Sequence, residues 1–218
     1  LAGSAGWAHA ELIYDYGQPF ADDSGPKPLP GGAAPWLRAT FVNVTDSSVR
    51  LTLEGVNLPD EQFASEFYFN FHEDLNPSLL SLVHEGGLTA VAVETGVDAF
   101  KSDGDGYYDV EISFDTDNSS GNRFVDGSFS EYLVSYGGTL PVGTDFAGLF
   151  VCLSTAGGGC GPYYTASHIQ NIPDPPCKDD STWVHGDPPS PSVPEPAGMA
   201  LWTLSAVMGL VGRWRGRP

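Results

Sequence analysis

The run Asp103-Gly-Asp105-Gly-Tyr-Tyr-Asp109 concentrates the chemistry that carboxylates can do. Alternating carboxylates on a glycine-kinked loop can converge on a hard cation, and Ca²⁺ takes about six to eight oxygen ligands. Asp103, Asp105 and Asp109 are therefore the candidate calcium ligands, and calcium is the one cofactor the residues suggest. A third early Asp and a distal Glu are missing, so the loop is not an EF-hand. Glu111 falls on the strand face of Asp109 and joins the set only if the chain bends. A second acidic turn, Asp115-Thr-Asp117-Asn118, follows. The bland alternative is a polar hairpin turn with solvated carboxylates.

Cysteine and histidine offer less. Cys152 and Cys160 bracket a flexible Leu-Ser-Thr-Ala-Gly-Gly-Gly loop that can close a disulfide, with Cys160–Cys177 as the rival pairing and one thiol left over. His72-Glu73 lacks the second His of a zinc-protease motif, and no G-x-S-x-G elbow occurs. His168 beside Ser167 fits a structural strand histidine better than a triad. With 28 acidic residues a carboxylate pair always exists somewhere, and none is singled out. No catalytic residue is assigned, and the chain is read as a non-enzyme.

The charge balance narrows the partners. Nine Lys+Arg face 28 Asp+Glu, a net of −19 over 218 residues. Three of the nine, Arg213, Arg215 and Arg217, crowd one end, and every acid lies between Glu11 and Glu195. Such a field repels phosphate backbones and excludes nucleic acid as a natural partner.

The elements that must hold these residues read as strands. Gly (27) and Pro (18) are too frequent for a helical bundle and suit short strands joined by turns. Trp36–Val44 is rich in aromatic and β-branched residues, and Val49–Leu53 alternates with period two. Phe67, Phe69 and Phe71 share one side of a strand, as do Tyr108, Val110, Ile112 and Phe114. Leu88–Val93 and His168–Ile172 are further strands, and the continuous run Phe146–Leu153 reads as a central one. Pro59–Glu66 is the best helix candidate. The fold expected is all-β, a β-sandwich or jelly roll of one domain, plus a single hydrophobic helix near the C-terminal end.

Four segments follow: residues 1–10, an Ala-rich stretch ending in A-x-A and read as the remnant of a signal peptide; a body over 11–172; a Pro-rich stalk over 173–193, from which Trp183 can pack back; and residues 194–217. The last holds Pro194-Glu195-Pro196, an apolar run from Ala197 to Gly212, and Arg213, Arg215 and Arg217. At ~1.5 Å per residue the run spans about 24 Å, short of a ~30 Å hydrocarbon core, with Trp214 and the arginines able to anchor at the interface.

These three parts in this order resemble the PEP-CTERM sorting signal of Gram-negative bacteria. The resemblance implies recognition by exosortase, transient anchoring in the inner membrane, and release or attachment at the cell surface. The body stretches A-P-W-L-R-A-T-F (34–41), V-R-L-T-L (49–53), S-E-F-Y-F-N (65–70), F-K-S-D-G-D-G-Y-Y-D-V-E-I (100–112) and T-A-S-H-I-Q-N-I (165–172) resemble a recurring group of PEP-CTERM proteins without a defined activity. What this implies is an exported protein with a structural or adhesive role in biofilm or extracellular polysaccharide. Tyr pairs beside the acidic turn make a carbohydrate-binding module the first alternative. An ice-binding protein would want Thr-x-Thr arrays, which are missing, and a secreted hydrolase would want a convergent polar pocket.

Overall fold

The computed structural model describes residues 11–21, 28–59, 61–102, 105–117, 121–157, 161–173 and 180–188. The chain divides into two units, Leu1–Pro188 and Pro189–Pro218, and the second lies wholly outside the described residues. The expected C-terminal helix and the signal remnant over 1–10 therefore fall outside them as well. Among the described residues no helix is long and apolar enough to cross a membrane.

The described chain is all-β. Ten strands, β1 (Glu11–Pro19), β2 (Leu37–Thr45), β3 (Ser48–Gly55), β4 (Phe63–Phe69), β5 (Leu80–Gly87), β6 (Ala92–Lys101), β7 (Tyr107–Ser113), β8 (Phe129–Tyr136), β9 (Thr165–Gln170) and β10 (Ser181–Asp187), form one antiparallel sheet. Their order is β5-β8-β3-β2-β1-β10-β9-β4-β7-β6. The edge strands β5 and β6 are consecutive in the chain, joined only by residues 88–91. Nine strand spacings of ~4.8 Å would put the edges of a flat sheet about 43 Å apart. Gly87 to Ala92 is five Cα steps, a reach of at most about 18 Å. The sheet must therefore curl until its edges nearly meet, giving a nearly closed barrel with an unpaired seam.

Period-two alternation fills the interior. Leu37, Ala39 and Phe41 of β2, Val49, Leu51 and Leu53 of β3, and Phe67 and Phe69 of β4 are all buried in one core. Aromatic edges and faces interlock there: Phe41 stacks on Phe150 at 4.7 Å, and Phe67 meets Phe124 edge-on at 5.2 Å. Such pairs add roughly 0.5–1.5 kcal/mol each beyond area burial.

Four expectations change. Phe146–Leu153 is not a strand; Ala147–Phe150 forms a 3-10 turn that drives Phe146 and Phe150 into the core. The Asp145 carboxylate accepts the Gly148 N–H at 3.2 Å, so a local turn outcompetes the ladder. Leu88–Val91 is the inter-edge link, and only Ala92 and Val93 of that run join β6. Phe63–Glu66, inside the helix candidate, is the start of β4, because pairing with β9 outweighs weak local propensity. Ser181–Asp187, assigned to the stalk, is β10, held between β1 and β9 in the middle of the sheet.

Candidate ligand cleft

The acidic run is split between two environments. Asp105, buried, accepts the Tyr108 hydroxyl at 2.6 Å and the Ser154 hydroxyl at 2.9 Å. Gly161 lies so close to it that an added Cβ would sit 1.4 Å from Asp105 Oδ1. Burial, then the neighbouring Asp105, push the Tyr108 phenol far above its ordinary range, so Tyr108 acts as a donor.

Asp109 is placed differently. The β4–β7 ladder stops at Phe69↔Val110, and just beyond it the Phe71 N–H donates to Asp109 Oδ2 at 3.0 Å. Asp109 Oδ1 accepts the Asp98 N–H at 2.9 Å. Asp98 sits in an irregularity of β6: between the pairs Thr95↔Val110 and Phe100↔Tyr108, four residues of β6 lie against one of β7. Its φ of 45° is left-handed, a conformation non-glycine residues rarely hold. Burial raises the Asp109 carboxyl above its ordinary range, and the two backbone N–H groups partly offset this. The alternation read from the sequence also breaks here. Tyr108 packs in a small outer cluster with Phe20, Tyr68 and Ala166, whereas Val110 and Ile112 stay in the main core.

Asp109 opens on a cleft of about 490 Å³. Asn70, Phe71, His72 and Glu73 line it from the segment after β4, Val97 and Asp98 from the β6 irregularity, and Val151, Cys152, Leu153 and Thr155 from the segment after the 3-10 turn. Asn70 is only 3% exposed, and its amide nitrogen has no hydrogen-bond partner among the described residues. The Cys152 thiol donates to the Leu149 carbonyl at 3.8 Å. Burial pushes the thiol up; the Glu73 backbone N–H counters this, and the charges of Asp109 and Glu73 add to it. It is the reverse of what an activated nucleophile needs.

Of the residues proposed from sequence, Asp105 and Asp109 are both buried but hold separate sets of donors. Asp103 lies outside the described residues, and among those described no group of three His, Cys, Asp or Glu side chains could hold a metal ion. Among the described residues Cys152 is a free thiol, and Cys160 and Cys177, the other members of the two pairings considered, lie outside them. Pro194, Glu195, Pro196, Ala197, Gly212, Arg213, Arg215 and Arg217 lie outside them too. Ser167 donates to the Glu66 carbonyl rather than to His168, which removes the imagined triad.

Sequence reasoning passed over two features. Asn70 sits in a polar stretch directly after an aromatic strand, N-F-H-E-D, which is the sort of signal that marks a site-bearing loop. The second is a column of near-parallel rings outside the main core. His185 stacks on Tyr163 at 4.2 Å, Tyr163 on Phe20 at 4.4 Å, Phe20 on Trp183 at 6.0 Å and Trp183 on His168 at 4.6 Å. Each terminal imidazole faces a carboxylate: His168 Nδ1 lies 3.8 Å from Glu66, and His185 Nδ1 lies 3.5 Å from Asp187. Compared with family models, curated proteins and solved structures, the chain matches none.

Proposed function

We propose that this chain is an exported, surface-displayed protein of the PEP-CTERM type with an adhesive role, processed by exosortase near Pro194-Glu195-Pro196. Its β-domain, a curled sheet taken as a flattened sandwich, is the part that holds extracellular material. The observation that carries the binding role is the cleft beside Asp109, with Asn70 in its lining and the buried Asn70 amide nitrogen without a partner among the described residues. Buried polar groups are nearly always satisfied, so an orphaned amide lining a cleft points to a ligand atom as its partner.

The role is binding rather than catalysis. Asp109 is held by two backbone N–H groups, and the Cys152 thiol is pushed away from its reactive form. The address rests on the order of the tripeptide, the apolar run and the arginines. The expected partners are exosortase, the membrane before processing, and extracellular polysaccharide.

The test is fractionation of the full chain, tagged within the body, in Gram-negative hosts with and without exosortase. The expected result is a shortened, surface-exposed protein in the first and a membrane-retained, uncut one in the second. Uncut cytosolic protein in both hosts overturns the proposal.

A further inference from the structure

We infer that the cleft beside Asp109 binds a neutral polyhydroxylated ligand, one or two sugar rings of an uncharged polysaccharide, with Asn70 and Asp109 as its hydrogen-bonding pair. This deepens the adhesive reading above and rests on it. At about 490 Å³ the cleft falls in the range of roughly 300–1,000 Å³ that small-molecule sites occupy.

The lining selects among chemical classes. Glu73, Asp98 and Asp109 line the cleft with His72, and among the described residues no Lys or Arg does, so a uronate, sulfate or phosphate group meets net repulsion. A simple ammonium is drawn by those charges, yet it has only donors and leaves the Asn70 N–H groups unmet. A purely apolar ligand dries both Asn70 and Asp109 without pairing them, which is costly for buried polar groups. A hydroxyl does both jobs: it donates to the carboxylate and accepts from the amide. Each oxygen of Asp109 takes one backbone N–H and retains a second acceptor position.

The apolar lining completes the match. Val97 is 64% exposed and Leu153 48%, with Val151 beside it. Aliphatic side chains at a cleft wall suit the C–H face of a pyranose. The irregularity of β6 shapes this wall: the extra residues carry Val97 and Asp98 away from the regular ladder. Irregularities of this kind concentrate at sheet edges and next to sites, where they re-aim side chains.

The test measures binding of the full chain, by calorimetry and by shift of the unfolding midpoint, to four neutral probes (dextran, laminarin, mannan and galactan oligosaccharides), to an alginate oligosaccharide and to a chitosan oligosaccharide. At least one neutral probe is expected to bind ten-fold or more tighter than alginate or chitosan. Asn70→Leu removes the amide at similar volume. It is expected to abolish binding while leaving the unfolding midpoint unchanged or raised, because an orphaned buried donor disappears with it. Val97→Ser, on an exposed position, is expected to weaken binding at least three-fold. Failure of all four neutral probes, equal or tighter binding of alginate or chitosan, or undiminished binding by Asn70→Leu overturns the inference. Surface display with no sugar binding sinks this inference alone, and sugar binding by a protein that never leaves the cytosol sinks only the surface reading.

Discussion

Asp105 and Asp109 stand four residues apart in one acidic stretch and end in opposite circumstances. Around Asp105 the protein closes: two side-chain hydroxyls reach the carboxylate, and Gly161 leaves no room for a further atom. Around Asp109 it opens: two backbone N–H groups hold the carboxylate in the lining of a cleft. In the first pocket the carboxylate organises side chains from β7 and the Ser154 segment. In the second it replaces a ladder that has run out, tying the chain after β4 to the β6 irregularity. Residue type and spacing suggest a shared cation; the donors that reach each oxygen decide what each carboxylate does.

The sharpest way to break the contrast is Gly161→Ala. Its Cβ would overlap Asp105 Oδ1, and relieving the overlap must disturb a carboxylate that Tyr108 and Ser154 hold through Oδ2, so a loss of about 3 kcal/mol in urea unfolding is expected. Asp109→Ala leaves the N–H groups of Phe71 and Asp98 to cleft water, and about 1–2 kcal/mol is expected by the same assay. If Asp109→Ala costs more than Gly161→Ala, the contrast between a closed and an open pocket is wrong.

Titration sharpens it further. Folding raises the Asp109 and Glu66 carboxyls, so the native state binds more protons just above the ordinary carboxylate range. Their contribution therefore grows as pH falls into that window and shrinks as pH rises through it. His185 runs the other way: burial lowers it, so the stability of its neutral form is present above about 6.5 and is lost as pH falls toward the folded value. Urea midpoints between pH 7 and 5 should fall less in His185→Phe than in the unaltered chain; an identical slope removes His185 as the source. The smallest effect is expected from calcium. After EDTA treatment, added Ca²⁺ should move the unfolding midpoint by less than about 2 °C, under ~1 kcal/mol for a domain of this size. A larger rise would mean that Asp103 draws Asp105 away from Tyr108 and Ser154.

Much of the sheet is readable from alternation alone. Val49, Leu51 and Leu53, or Phe67 and Phe69, bury one face over several residues, and nothing local competes. What escapes such reading depends on distant partners. β10 follows a Pro-rich stretch and is fixed only by its neighbours β1 and β9. The run Phe146–Leu153 has strand composition, but one Asp145–Gly148 turn redirects it. β5 and β6 carry exposed and intermediate residues because they are edges, so their alternation is faint. The acidic run drew attention to Asp105 and Asp109 but not to their separation, and Asn70 gave no sign of being buried without a partner among the described residues. That fact exists only once β4, the β6 irregularity and the Cys152 segment are brought together.

The first and last strands lie side by side in mid-sheet, with Asp15 opposite Asp187. Among the described strands, the chain thus enters and leaves on the same side of the sheet, the two doorways offset by one strand spacing across and by four residues, about 14 Å, along the strands. Such a unit can be spliced into a surface loop of an unrelated host without prying the host open. Joining its two ends and cutting within residues 88–91 would yield a rewired version whose new termini fall where no ladder is severed.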